Sequence, residues 1–321
     1  AAAFVLLTKE MKPILLKEPA TDSELLQNIF KNQKSDCPRA LIDRGALIQQ
    51  APRQVVQDIF ACTQKAVPPI NRIVYFEGDK RWVLMRGSST PVEYDPDQCS
   101  KEDCFAFYDQ VHTIGTDISL PDDALAIATI DHTTNYTDAI QAGFRMRNLE
   151  KSQRVLWVAS SKLTLDLLAR GIREEEITTK HLLCRAKHLQ AKVREEENYK
   201  AVLEKLQECF LAECQKMIDR EPHRKEVLEQ TFRKNSMDPE HCYATSFGWE
   251  DPKKEFENRR DHYLSKLGQL TSPEVCTQIK KEMGAIIESA IPLSKARLVP
   301  DLVRSLPLIL GIELAIEQQQ E

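Results

Sequence analysis

The stretch that most constrains the fold of this chain is 104–160, which alternates apolar runs with polar segments. Two apolar runs, 104–108 and 124–130, flank a polar turn, and a helical segment separates the second run from a third at 154–159. Continuous apolar runs joined through a helix are typical of parallel strands whose two faces are both buried. The stretch therefore predicts strand, loop, strand, helix and strand within one parallel sheet.

The helical segment begins with polar residues at 133–138, which suit the start of a helix. Ile140, Phe144 and Met146 follow at a spacing that predicts one buried face. Polar residues that come just after strands lie where parallel sheets bind ligands. We therefore expect any chemistry of this chain at that edge of the sheet.

The residues upstream predict the rest of the same sheet. Apolar segments at 72–76 and 81–85 are expected to pair as a hairpin around a polar turn. Helical spacing over 49–65 predicts a helix that precedes them. The predicted fold class is α/β, a mostly parallel sheet flanked by helices. Its strands are expected near residues 40, 73, 105, 126 and 156.

Beyond residue 165 the pattern changes to long helices. Helix breakers are almost absent over 178–234, and apolar residues recur every three to four positions, which predicts an antiparallel pair or a coiled-coil-like arm. Further helices are expected near 254–268 and 273–289, and a last one from Pro300. The predicted organisation is an N-terminal helix and linker (1–37), an α/β domain (38–165) and a helical domain (166–321).

Composition limits the classes of protein that fit. A net charge of −5 gives no global attraction to nucleic acid or to an anionic membrane. Nine cysteines without paired spacing are typical of free thiols in a reducing compartment, so we expect an intracellular protein, in the cytoplasm or, as an open alternative, in an organelle or the nucleus. The longest apolar run, 306–316, is too short and too polar to predict a membrane span. The first residue is Ala1 rather than Met, which favours a piece of something longer.

Two short motifs carry a family resemblance. The turn Gly115-Thr116-Asp117 resembles motif V of superfamily-2 helicases, in the GTD form of the bacterial preprotein translocase motor. The run QAGFRMR at 141–147 resembles motif VI of the same superfamily, a Gln followed by closely spaced arginines. Together these motifs imply the second RecA-like domain of such a motor.

Residues 38–160 also resemble the C-terminal region of very large eukaryotic proteins that are often labelled ubiquitin thioesterase-like. The shared features are the segment ALIDRGAL at 40–47, the run FYDQVHTIGTD at 107–117, and the QAGFRMR run. That resemblance leaves two further functions open. One is part of a cysteine-type deubiquitinase, and the other is a non-enzymatic interaction module.

The motor resemblance implies roles for particular residues. Arg145 and Arg147 would stabilise charge on a γ-phosphate, with Gln141 beside them, because arginine is permanently charged and forks onto phosphate oxygens. Arg145 is favoured because it lies four residues after Gln141 and so on the same face of a continuous helix.

The remaining implied residues couple nucleotide state to the neighbouring domain. They are Gly115, Thr116 and Asp117 of the motif V-like turn, with Asp109 and His112 of a run that resembles a DExH box. For Asp117 the alternative, a cap of its own turn, stays equally open.

The chain carries no GxxxxGK[ST] loop, so nothing in it cradles phosphates. ATP and Mg²⁺ are therefore expected only with an upstream RecA-like domain, and the motor is either active or a degenerate scaffolding version. Other partners predicted are a protein on the helical arm and, more weakly supported, nucleic acid.

The deubiquitinase alternative needs a thiolate beside a His. Cys104 and His112 are the nearest pair, but a strand between them holds them about 20 Å apart. The spacing of His181, Cys184 and His188 would suit a metal, yet no fourth ligand is in sight and no metal is expected.

We predict that the isolated chain does not bind ATP with micromolar affinity, because the phosphate loop is absent. Isothermal titration calorimetry with Mg-ATP checks this. A dissociation constant in the micromolar range would contradict it.

Overall fold

The computed structural model describes residues 11–17, 21–31, 37–64, 69–113, 118–235 and 251–295. These residues form two compact units. The first contains the described residues up to Gln190, and the second contains those from Ala191 onwards.

Within the described residues the first unit has eight strands. They are β1 (Ile14–Leu15), β2 (Ala40–Ile42), β3 (Arg72–Glu77), β4 (Lys80–Met85), β5 (Val92–Glu93), β6 (Cys104–Tyr108), β7 (Leu125–Ile130) and β8 (Arg154–Ala159). The described α-helices of the chain are α1 (Asp22–Lys31), α2 (Pro52–Cys62), α3 (Tyr136–Gly143), α4 (Ser161–Ala169), α5 (Thr179–Arg220), α6 (Lys225–Asn235), α7 (Pro252–Leu267) and α8 (Pro273–Lys295).

All eight strands belong to one sheet, in the order β1-β8-β7-β2-β6-β3-β4-β5. Every pair from β1 to β3 is parallel, and β3, β4 and β5 pair antiparallel. The predicted α/β fold class, the five strand positions and the β3–β4 hairpin are thus confirmed.

The central strands are apolar on both faces because helices cover both sides of the sheet. Every residue of β2, β6 and β7 is buried. Successive residues of β6 enter different cores: Ala106 packs on the side of α3 and α4, while Phe105 and Phe107 pack on the side of α1 and α2. Two separate cores therefore hold the sheet between them.

The helix expected after β7 forms, but it is shorter than its apolar spacing predicts. It ends at Gly143, and Phe144 is 43% exposed whereas Met146 is buried. The backbone N–H groups of Arg145 and Met146 each donate to the carbonyl three residues earlier, which tightens the chain into turns. The prediction of one helical face through Phe144 is therefore wrong.

Strand order reverses direction around β2. The chain leaves β2 through α2 towards β3 on one side, and it leaves β7 through α3 towards β8 on the other. Since β2 and β7 are neighbours, the two connections diverge at their carboxyl ends. Parallel α/β sheets bind ligands at such a switch point.

The second unit is helical. The part of α5 from Ala191, together with α6, α7 and α8, surrounds a core in which Phe210 stacks on Tyr263 with ring centroids 4.7 Å apart. This confirms the long helices expected over 178–234 and the two near 254–268 and 273–289. The helix expected from Pro300 lies outside the described residues.

Within the described ranges, no helix is both long and apolar enough to span a bilayer.

We predict that Phe105→Ala lowers the free energy of unfolding by about 3–5 kcal/mol, because it leaves a cavity in a core where Phe105 is fully buried. Urea denaturation measures the change. Val111→Ala is the control: Val111 is 77% exposed, so its change should stay within about 0.5 kcal/mol. Equal effects of the two variants would contradict the assignment of the core.

Candidate functional site

The candidate site is the carboxyl edge of the sheet around the switch point. Asp43, which follows β2 and is 2% exposed, organises its centre. Its carboxylate accepts hydrogen bonds from the backbone N–H groups of Leu47 and Ile48, both at 3.0 Å, and from the Thr129 hydroxyl at 2.6 Å. Burial raises the pKa of Asp43, and these three hydrogen bonds oppose the rise.

The loop after β2 lies directly against the end of β7. The N–H of Gly45 donates to the Thr129 hydroxyl oxygen at 2.8 Å. A Cβ atom on residue 45 would lie 3.0 Å from the backbone N and C of Ile130, so the approach requires glycine. Ala46 follows with a φ of 50°, in the left-handed region that costs a non-glycine residue free energy.

Arg44 connects three strand ends. Its Nη2 pairs with Asp138 in the first turn of α3. Its Nη1 donates to the carbonyl of Gln110 at 3.2 Å and to the hydroxyl of Thr113 at 3.4 Å, both in the segment after β6. The carboxyl ends of β2 and β6 and the helix after β7 therefore meet at one side chain. Sequence reasoning missed Arg44, although its place after a predicted strand is a signal.

Asp109 and His112, predicted as nucleotide-coupling residues, contact each other. Nδ1 of His112 lies 2.7 Å from Asp109 Oδ1, which also accepts the backbone N–H of His112 at 2.9 Å. The imidazole stacks on Phe76 with ring centroids 4.5 Å apart. The carboxylate and the aromatic ring together fix the orientation of the imidazole.

The motif V-like residues Gly115, Thr116 and Asp117 lie outside the described residues. The described segment closest before them ends at Thr113, which is fully buried and donates a hydrogen bond to the carbonyl of Gln110 at 3.0 Å.

The motif VI-like residues are distributed over the end of α3 and the turns that follow. Gln141 is on α3, and its Oε1 is buried without a hydrogen-bond partner among the described residues. Arg145 is 8% exposed, whereas Arg147 is exposed. Because α3 ends at Gly143, Arg145 does not share a helical face with Gln141, and the spacing argument that favoured Arg145 does not apply.

An open cleft of about 400 Å³ lies beside this centre, where the chain leaves β1, β2, β7 and β8. It is lined by Leu16, Leu25, Gly45, Ala46, Leu47, Gln49, Asp131, Ser160, Ser161 and Lys162. Asp131 anchors its polar side, accepting a hydrogen bond from the Ser160 hydroxyl, which also caps α4 by accepting the N–H of Leu163. Burial opposes ionisation of Asp131, but hydrogen bonds from Ser160, the backbone of His132 and Thr133 outweigh it and lower the pKa of Asp131.

His132 extends this polar side. Its Nδ1 lies 2.6 Å from Asp131 Oδ2. The sequence signal for Asp131 and His132 was their position directly after an apolar run.

Six of the described thiols have a pKa that is shifted away from the range of an activated nucleophile. Burial raises the pKa of Cys104 and of Cys214 to about 12. The same cause raises the pKa of four others: Cys37, Cys62, Cys99 and Cys209. A raised pKa keeps a thiol protonated and so unreactive at neutral pH.

The structure offers no cluster of three or more His, Cys, Asp or Glu side chains suited to a metal ion within the ranges described above.

Comparison with protein-family models and with curated proteins gives no match for this chain.

We predict that Asp131→Asn destabilises the first unit at neutral pH by roughly 1.5 kcal/mol, because charged hydrogen bonds are lost. The native pKa of Asp131 is lowered from the ordinary 3.8, so its contribution is fully present above pH 3.8 and is lost as the pH falls through the native pKa. The stability difference between wild type and variant should therefore shrink below pH 3.8. Urea denaturation over a pH series measures it.

Asp79→Asn, in the exposed β3–β4 turn, is the control and should change stability by less than about 0.5 kcal/mol. A difference for Asp131→Asn that does not vary with pH would contradict the prediction.

Proposed function

We propose that the first unit is the second RecA-like half of a helicase-like, ATP-dependent motor. In this proposal another RecA-like domain carries the phosphate-cradling loop and holds ATP and Mg²⁺. The unit itself supplies positive charge to the phosphate and senses whether the nucleotide is present. The absence of a GxxxxGK[ST] loop from the chain supports this division of labour.

The observation that carries the proposal is the network around Arg44. The motif V-like turn and the motif VI-like run belong to different connections of the sheet, one after β6 and one after β7. Arg44 contacts the residues just before the first motif and the helix that begins the second. A surface that senses nucleotide through both motifs needs such proximity.

The two arginines would then have different roles. Arg147 is exposed and is the group that can reach a phosphate presented by another domain. Arg145 is 8% exposed and is better suited to hold the turn that carries Arg147. A guanidinium close to the γ-phosphate stabilises the negative charge that builds on its oxygens in the transition state, which is worth ~10³–10⁵ in rate.

Two other functions have less support. A cysteine-type deubiquitinase needs a lowered thiol pKa, and the resolved shifts among the described cysteines are all upward. A scaffolding version of the motor half would keep the fold and the Arg44 network without turnover. A protein partner on the second unit and a nucleic-acid partner stay predictions.

We predict that Arg147→Ala, made in the full natural polypeptide that contains this chain, lowers kcat for ATP hydrolysis about 10³-fold. Its free energy of unfolding should change by less than about 0.5 kcal/mol, because the side chain is exposed. Arg145→Ala should lower both kcat and stability, because a buried arginine is removed. Steady-state ATPase assays and urea denaturation separate the two effects.

Arg154→Ala, at the start of β8, is the matched control and should leave kcat within about threefold. Equal ATPase rates for wild type and Arg147→Ala would remove Arg147 from this role. If the wild type hydrolyses no ATP, the scaffolding version is the function that survives.

A further inference from the structure

The ion pair between Arg44 and Asp138 is partly buried. The Arg44 side chain is 14% exposed, and its partner Asp138 is 22% exposed. Partly buried guanidinium–carboxylate pairs hold their geometry better than solvent-exposed ones, because fewer water molecules compete for them. Breaking the pair leaves a charge that is poorly solvated, so both partners are strongly held in place.

Each end of the contact is itself fixed. On one side, the Thr113 hydroxyl accepts a hydrogen bond from Arg44 and donates one to the carbonyl of Gln110. The guanidinium therefore contacts a turn that is closed by its own hydrogen bond. On the other side, the backbone N–H of Asp138 donates to the side chain of Asn135, which caps α3. Arg44 therefore joins a turn and a capped helix end, and neither is a loose loop.

These two elements lie on opposite sides of β2 in the strand order. The segment 110–113 follows β6, and α3 follows β7, while β2 is hydrogen-bonded to both strands. Arg44, directly after β2, reaches both. A shift of either element must therefore stretch the same guanidinium contacts, so a perturbation of one changes the free energy of the other.

We propose that Arg44 is a positioning residue that couples the segment before the motif V-like turn to the helix in which the motif VI-like run begins. This inference rests on the proposed function for its ligand, the γ-phosphate end of a nucleoside triphosphate held by another domain. In that setting Arg44 makes the two motifs respond to the phosphate together.

The coupling itself is tested on the chain by amide hydrogen exchange followed by mass spectrometry. Asp138→Asn should raise exchange of the amides in 110–113 about tenfold, although that segment contains no substituted residue. Thr113→Val should in turn raise exchange at the start of α3, where the N–H of Ala139 donates to the carbonyl of Asn135. Arg44→Gln should raise both.

Glu221→Gln is the control. It removes an arginine–carboxylate contact of the same kind, since Nη1 of Arg224 donates to Oε2 of Glu221 at 3.0 Å, but that pair belongs to the second unit. Its effect on exchange in 110–113 should stay below twofold. If Asp138→Asn has no larger effect than Glu221→Gln, the coupling is refuted.

A second measurement asks whether the coupling serves turnover. In the full polypeptide, Arg44→Gln should lower kcat about 10–100-fold and change KM less than about threefold, because misplacing catalytic groups costs rate rather than binding. Arg44→Lys keeps the charge and should recover part of kcat. Arg224→Gln should leave both constants unchanged.

The two measurements fail separately. If the exchange of the two segments is coupled but the wild-type protein has no ATPase activity, the proposed function is overturned. Arg44 then remains the link between the two segments. If Arg44→Gln does not change the ATPase activity and the exchange of the two segments is not coupled, the inference is overturned. The proposed function is then unaffected.

Discussion

The hydrogen bond between the Thr129 hydroxyl and the buried carboxylate of Asp43 is the contact on which the carboxyl edge of the sheet depends. It ties the end of the central strand β2 to the last residues of β7. Since Thr129 also accepts the N–H of Gly45, one buried hydroxyl fixes the course of the chain on both sides of Arg44. The direction of the Arg44 side chain, and with it the contacts to Asp138 and Thr113, follows from that anchor.

The sequence contained enough information to predict the sheet, because strands buried on both faces have few polar positions. The runs 104–108, 124–130 and 154–159 are apolar almost throughout, and each forms a buried strand. The order of the strands could not be predicted, because strands that pair in the sheet lie far apart in the chain. The sheet places β2 between β6 and β7, although β3, β4 and β5 come between β2 and β6 in sequence.

The candidate site was predictable only as a region. Polar residues after apolar runs indicated the carboxyl edge of the sheet, where Asp109 and His112 contact each other. Arg44 and Asp131 gave no motif, because their roles depend on partners 94 and 29 residues away, Asp138 and Ser160 respectively. The spacing of Ile140, Phe144 and Met146 predicted a single buried helical face, and this was wrong. Helical spacing places residues on one face only while the helix continues, and this helix ends at Gly143.

Among the described residues, both edges of the sheet are formed by strands of only two residues, β1 and β5. A strand this short exposes few free backbone donors and acceptors, so it offers little template for a strand from another molecule. Neither of these two strands therefore favours backbone pairing with another molecule, which is a common route to aggregation. The side chains with the richest hydrogen bonding lie instead at the carboxyl ends of the strands, where a neighbour that reads side chains would find them.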